Sequence, residues 1–123
     1  METIAPKKET IHTITIRFTG PETWSYDIMP RQANPKKARI KRKDVLQWVS
    51  PDGTWTVFFK GLTPLEDGNG IGIASVTAPS GASAGGIMAV KPKTGDVFTY
   101  GVKLVLNGSG QTVEDDPEIV IEA

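Results

Sequence analysis

The chain has 123 residues, with 14 basic and 14 acidic side chains in balance, and it has no cysteine. A chain of this length buries enough surface for one core without staples, and the missing thiols exclude a disulfide framework and any cysteine-based metal centre. No stretch approaches the roughly 18 consecutive apolar residues of a membrane span, so no membrane partner is expected.

The opening METIAPKKETIHTI carries two lysines with no apolar run behind them, which does not fit a secretory signal. A cytoplasmic protein is expected, or a mature secreted form with Met1 added. Residues 1–10 are read as a flexible N-terminus and residues 11–123 as a single domain. Thirteen Gly and nine Pro cut the chain into short segments, and no window carries the helical spacing of apolar residues. Alternation dominates instead. Ile14, Ile16 and Phe18 share one face, with Thr13, Thr15 and Arg17 on the other. Trp24, Tyr26 and Ile28 alternate with Ser25, Asp27 and Met29, and Ala38 and Ile40 alternate with Lys37, Arg39 and Lys41.

Leu46–Val49 and Trp55–Phe59 flank Ser50-Pro51-Asp52-Gly53, where Pro presets φ and Gly permits a positive one, so a tight turn is expected. Gly61 to Ala84 is long and rich in Gly, Ser and Ala, and reads as a loop with one short strand drawn from Ile71, Ile73 and Val76. Lys93-Thr94-Gly95-Asp96 opens the strongest strand, in which Phe98, Tyr100, Val102 and Leu104 alternate with polar residues. Asn107-Gly108 closes a turn after it. Ile119 and Ile121 end the chain in the same rhythm. Period two with one polar face marks antiparallel strands half-covered by a second sheet. The fold class is all-β, a Greek-key sandwich of about seven to eight strands.

Catalytic and metal chemistry finds little to work with. The single histidine, His12, cannot assemble a metal site alone, and is expected to face solvent. No G-x-S-x-G elbow is present for a serine nucleophile. Glu114, Asp115, Asp116 and Glu118 lack the spacing of a calcium loop and read as a solvated approach to the last strand. Nothing singles out Glu66/Asp67 or Asp115/Asp116 as a glycosidase pair. Gly68-x-Gly70-x-Gly72 is not followed by the helix that a phosphate-cradling loop needs.

Charge supplies the sharpest positive feature. Residues 1–50 hold ten Lys/Arg against five Asp/Glu, and residues 51–123 hold four against nine. Lys36, Lys37, Arg39, Lys41, Arg42 and Lys43 crowd into eight positions, and on a strand Lys37, Arg39, Lys41 and Lys43 would line one face. Such a row could contact phosphates, nucleic acid or another polyanion, although lysines on an edge strand also serve to block edge-to-edge pairing.

Lys41–Trp48, Gly53–Val57, Asp96–Val102 and the closing Pro117–Glu122 together resemble the strands of cupredoxins of the plastocyanin and azurin type. By that resemblance Trp55 stands where the first histidine ligand would be and Val102 where the cysteine would be. The resemblance thus implies the fold without the copper, no cofactor, and hydrophobic filler at the two ligand positions. The expected function is a non-enzymatic, copper-free, cupredoxin-like module that binds another protein, with Trp55 and the Gly61–Ala84 excursion near the contact surface. Two alternatives stand beside it: a polyanion binder through Lys36–Lys43, and a small carbohydrate-binding domain using an exposed Trp.

Overall fold

A computed structural model describes residues 9–123; of the proposed flexible segment 1–10, the first eight residues lie outside the described residues. Thr10 is pinned. Its carbonyl accepts the Val45 N–H at 3.0 Å, and its own N–H donates to Asp44 Oδ1 at 3.1 Å.

The alternating segments form eleven strands and, among the described residues, no helix. They are β1 (Ile11–Phe18), β2 (Trp24–Met29), β3 (Lys37–Lys41), β4 (Val45–Val49), β5 (Gly53–Phe59), β6 (Leu65–Glu66), β7 (Ser75–Ala78), β8 (Ala84–Met88), β9 (Val97–Leu106), β10 (Thr112–Asp115) and β11 (Glu118–Glu122). One sheet has the order β2-β1-β4-β8-β6 and the other β3-β11-β9-β5-β7, with β10 also paired to β9. Most pairs are antiparallel. The parallel pairs, β1 with β4 and β11 with β3, arise because the chain leaves the first sheet after β2, adds β3 to the edge of the second, and returns as β4.

The count exceeds seven to eight for two local reasons. β10 and β11 lie along the same edge of β9 in one continuous register, interrupted only at Asp116-Pro117. The Gly61–Ala84 excursion is also more ordered than a loop. Ile73 N–H bonds to the Leu65 carbonyl and Asp67 N–H to the Ile71 carbonyl, while Asp67 Oδ1 accepts the N–H groups of Asn69 and Ile71. The result is a small hairpin ahead of β7. Val76 alone of the three proposed residues enters a strand; Ile73 packs on the core from outside and Ile71 is exposed.

The two sheets meet on an aromatic cluster. Trp48 of β4 faces Trp55, Phe59 and Tyr100 of the opposite sheet at ring-centroid distances of 6.5, 6.5 and 5.5 Å. Trp48, Trp55 and Tyr100 are wholly buried. Their polar atoms stay satisfied, since Trp48 Nε1 donates to the Tyr100 hydroxyl at 3.3 Å and Trp55 Nε1 to the Ala82 carbonyl at 3.1 Å. Ile14, Ile16, Leu46, Leu104, Ile119 and Ile121 fill the layer around them.

Two glycines permit close approach rather than unusual dihedrals. Gly53, expected to supply a positive φ in the Ser50–Gly53 turn, instead begins β5 where a Cβ would lie 2.1 Å from the Val105 carbonyl oxygen of β9. At Gly85 of β8 a Cβ would lie 1.9 Å from the Leu46 carbonyl oxygen and 2.5 Å from the Gln47 Cα of β4. Backbone atoms cannot yield as a side chain can. Gly85→Ala should therefore lower stability by about 1–3 kcal/mol, whereas Gly68→Ala, with open space around it, should be close to neutral. Urea unfolding of the two variants checks the contrast.

Candidate functional site

The six clustered cations do not form one surface. Alternation on β3 turns Lys37, Arg39 and Lys41 outward and buries Ala38 and Ile40, as expected. Lys43 does not join them: it sits after the strand in a turn with φ of 73° and donates its N–H to the Met88 carbonyl at 2.7 Å. Arg42 Nη1 bonds to the Pro92 carbonyl and Thr94 Oγ1 at 3.1 and 3.3 Å. Lys36 pairs with Asp115 and Arg39 with Glu122, each at 3.2 Å. Lys37 and Lys41 have no ion-pair partner among the described residues. With Arg31 they line a cleft of about 790 Å³ beside the β2–β3 loop.

β3 is an edge strand whose outer rim is closed. The Gln32 side chain behaves as a one-residue strand, its Oε1 accepting the Arg39 N–H and its Nε2 donating to the Arg39 carbonyl, both at 2.7 Å. Lys37 N–H bonds to the Asn34 carbonyl at 3.0 Å and the Lys41 carbonyl accepts Asp44 N–H at 3.2 Å. Backbone groups that would template another strand are thereby occupied.

Trp55 and Val102, the positions matched to copper ligands, are fully buried and belong to the same core cluster. In register Trp55 faces Leu104, and Val102 faces Val57. Trp55 consequently offers no exposed ring for a ligand. His12 departs from expectation, being 8% exposed rather than solvent-facing. It shares strand parity with Ile14 and Ile16, so it turns inward at the end of the core, where its Nε2 bonds to Asp44 Oδ2 at 2.8 Å and its Nδ1 is buried without a partner. Asp44 is itself largely buried.

A second groove, with no counterpart in the sequence patterns, runs from the β1–β2 turn and Trp24 past Pro51-Asp52 to the β9–β10 turn and β10. Thr19 N–H bonds to the Thr23 carbonyl at 2.9 Å. Given the β1–β2 register, this assigns the odd-numbered residues of β2 to β1. The N–H and C=O groups of Trp24, Tyr26 and Ile28 therefore point away from the sheet. On β10, bonds from Leu106 N–H to the Gln111 carbonyl and from Tyr100 N–H to the Pro117 carbonyl assign the odd residues to β9. Thr112 and Glu114 thus face outward. Unlike β3, neither rim has its outward backbone groups occupied among the described residues.

The groove between the two rims has a volume of about 1140 Å³. Phe18 and Trp24, both half-buried, line it as an edge-on pair with centroids 5.0 Å apart, and Trp24 lies nearly parallel to Tyr26 at 6.3 Å. Four carboxylates, Glu22, Asp52, Glu114 and Asp115, line it as well, and no lysine or arginine does. Asp52 Oδ2 accepts the Phe18 N–H at 2.9 Å. At the far end the Tyr26 hydroxyl donates to Asp115 Oδ2 at 2.8 Å and so ties one sheet to the other. Asp115 turns inward because β10 continues the parity of Ile119 and Ile121; Asp116, one residue on, turns outward and pairs with Lys60.

Among the described residues no group of three or more His, Asp or Glu side chains is placed to hold a metal ion. No protein-family model matches the chain, and no curated protein matches it.

Both tyrosines hold their protons more tightly than usual. Burial raises the Tyr26 hydroxyl first, and the hydrogen bond and negative charge of Asp115 raise it further. Burial also raises Tyr100 above the usual range, outweighing the Trp48 N–H that favours its anion. The neutral phenols are favoured in the folded state, so this contribution to stability is intact below the ordinary tyrosine value of about 10 and declines as pH rises past it. The chain has two tyrosines, so alkaline titration of the 295 nm absorbance should show no tyrosinate near pH 10 while the fold persists, and both should ionise together on unfolding. Tyr26→Phe should leave a single tyrosine transition, that of buried Tyr100, coinciding with unfolding.

Proposed function

We propose that this protein is a non-catalytic interaction module that takes an extended polypeptide segment into the groove between β2 and β10. One observation carries the reading: the open rim of β10 and the Trp24 end of the open β2 rim border one groove, and a half-buried aromatic pair lines it. A segment lying there can add hydrogen bonds to either rim while alternate side chains pack on Phe18 and Trp24, the logic of strand addition to a sheet edge. The closed rim of β3 supports the reading by contrast, since the same molecule blocks one edge and leaves these two open.

The proposal keeps the Greek-key, cupredoxin-like arrangement suggested by Lys41–Trp48, Gly53–Val57, Asp96–Val102 and Pro117–Glu122. Trp55 and Val102 serve in it as core packing, and the contact surface moves from Trp55 to Trp24. A carbohydrate ligand would use the same Trp24 ring, but the row of strand-rim amides favours a peptide, whose own backbone is complementary to them.

Selection of random linear peptides on the immobilised protein tests this. Expected binders alternate apolar and polar residues. Trp24→Ala and Thr112→Pro should each weaken them at least about tenfold, equivalent to about 1.4 kcal/mol. Thr112→Pro removes an outward N–H without touching the bonds from β10 to β9, so the fold should survive, as thermal unfolding would show. Lys37→Ala, in the other cleft, should leave affinity unchanged. Binders indifferent to both groove variants would overturn the proposal.

A further inference from the structure

We propose that the segment bound in this groove is cationic, carrying Arg or Lys at the side chains that face the protein. The inference rests on the strand-addition reading above and adds the chemistry of the guest. Three observations point the same way. The groove is lined by four carboxylates and by no cation. Glu22 and Glu114 are exposed and form no ion pair among the described residues, with Lys103 standing opposite Glu114 on β9. Trp24 and Phe18 add aromatic surface beside them, and a guanidinium placed on an aromatic face is favoured further by cation–π attraction.

The carboxylates also discriminate against other guests. A nucleic acid or an acidic peptide entering the groove would meet like charge from both rims, which costs binding and slows encounter. A neutral strand would satisfy the rim amides but leave Glu22 and Glu114 facing water. A basic strand does both: its backbone pairs with Thr112 and Glu114 or with Trp24 and Tyr26, and its alternate side chains reach the carboxylates. Only one set of side chains along an extended guest faces the groove, so the preference should follow alternate positions rather than total charge.

Three peptides of one length separate the possibilities: alternating Val with Arg, with Ser, or with Glu. Fluorescence anisotropy at about 0.05 and 0.5 M salt should show the Val-Arg peptide binding at least about tenfold tighter than Val-Ser at low salt, with the gap closing at high salt as charges are screened. The Val-Glu peptide should be weakest. The double variant Glu22→Gln/Glu114→Gln should reduce the Val-Arg advantage over Val-Ser severalfold. Equal binding of Val-Arg and Val-Ser, with sensitivity to Thr112→Pro retained, would overturn the charge assignment while strand addition stands. Binding by none of the three would overturn both. Block-charged peptides of the same composition that bind as tightly as the alternating one would remove the alternation.

Discussion

Trp48 and Tyr100 reach toward each other from opposite sheets, and the ring contacts around them fix the spacing on which the rest of the molecule depends. Side-chain size sets the distance between packed sheets. Four large rings at the centre hold the layers apart evenly, and the hydrogen bond from the indole to the phenol removes the cost of burying two polar atoms. The smaller aliphatic residues toward the rims then have a gap they can fill. Beyond them, past Phe18 and Trp24, a groove opens at the end of the core. The groove thus lies where the core ends, lined by Phe18 and Trp24 together with the turns after β1, β4 and β9.

Alternation made most of the strands readable, because one buried face leaves a period-two trace in the residues themselves. The same rule already contained the burial of His12, which shares parity with Ile14 and Ile16; its polarity obscured what its position implied. Lys43 misled for the opposite reason, since counting by twos ignores where a strand stops, and β3 ends at Lys41 before a turn. Gly53 looked like a turn residue but answers to the backbone of β9, a neighbour some fifty positions away. The groove itself was not legible. Its rims come from strands joined by the Tyr26–Asp115 contact, 89 residues apart in sequence. Which backbone amides face outward depends on registers that no local pattern records.

The uneven distribution of charge along the chain survives folding in a specific form. Arg31, Lys37 and Lys41, all from the first fifty residues, gather at one cleft. Asp52, Glu114 and Asp115, from the remainder, gather at the groove with Glu22. Lys36, from the basic run, pairs with Asp115 of the groove. A net charge of zero therefore conceals a cleft in which four cations outnumber Asp44 and Glu122 and a groove lined by carboxylates alone among charged side chains.

The bond between Tyr26 and Asp115 closes the groove at one end, and that makes it an end stop. A uniform alternating strand can slip along a sheet edge two residues at a time with little penalty. A segment taken up as proposed would have to terminate or turn aside where the phenol meets the carboxylate, its alignment measured from a fixed wall. A chain terminus or a sharp bend would suit that wall better than the middle of a long strand.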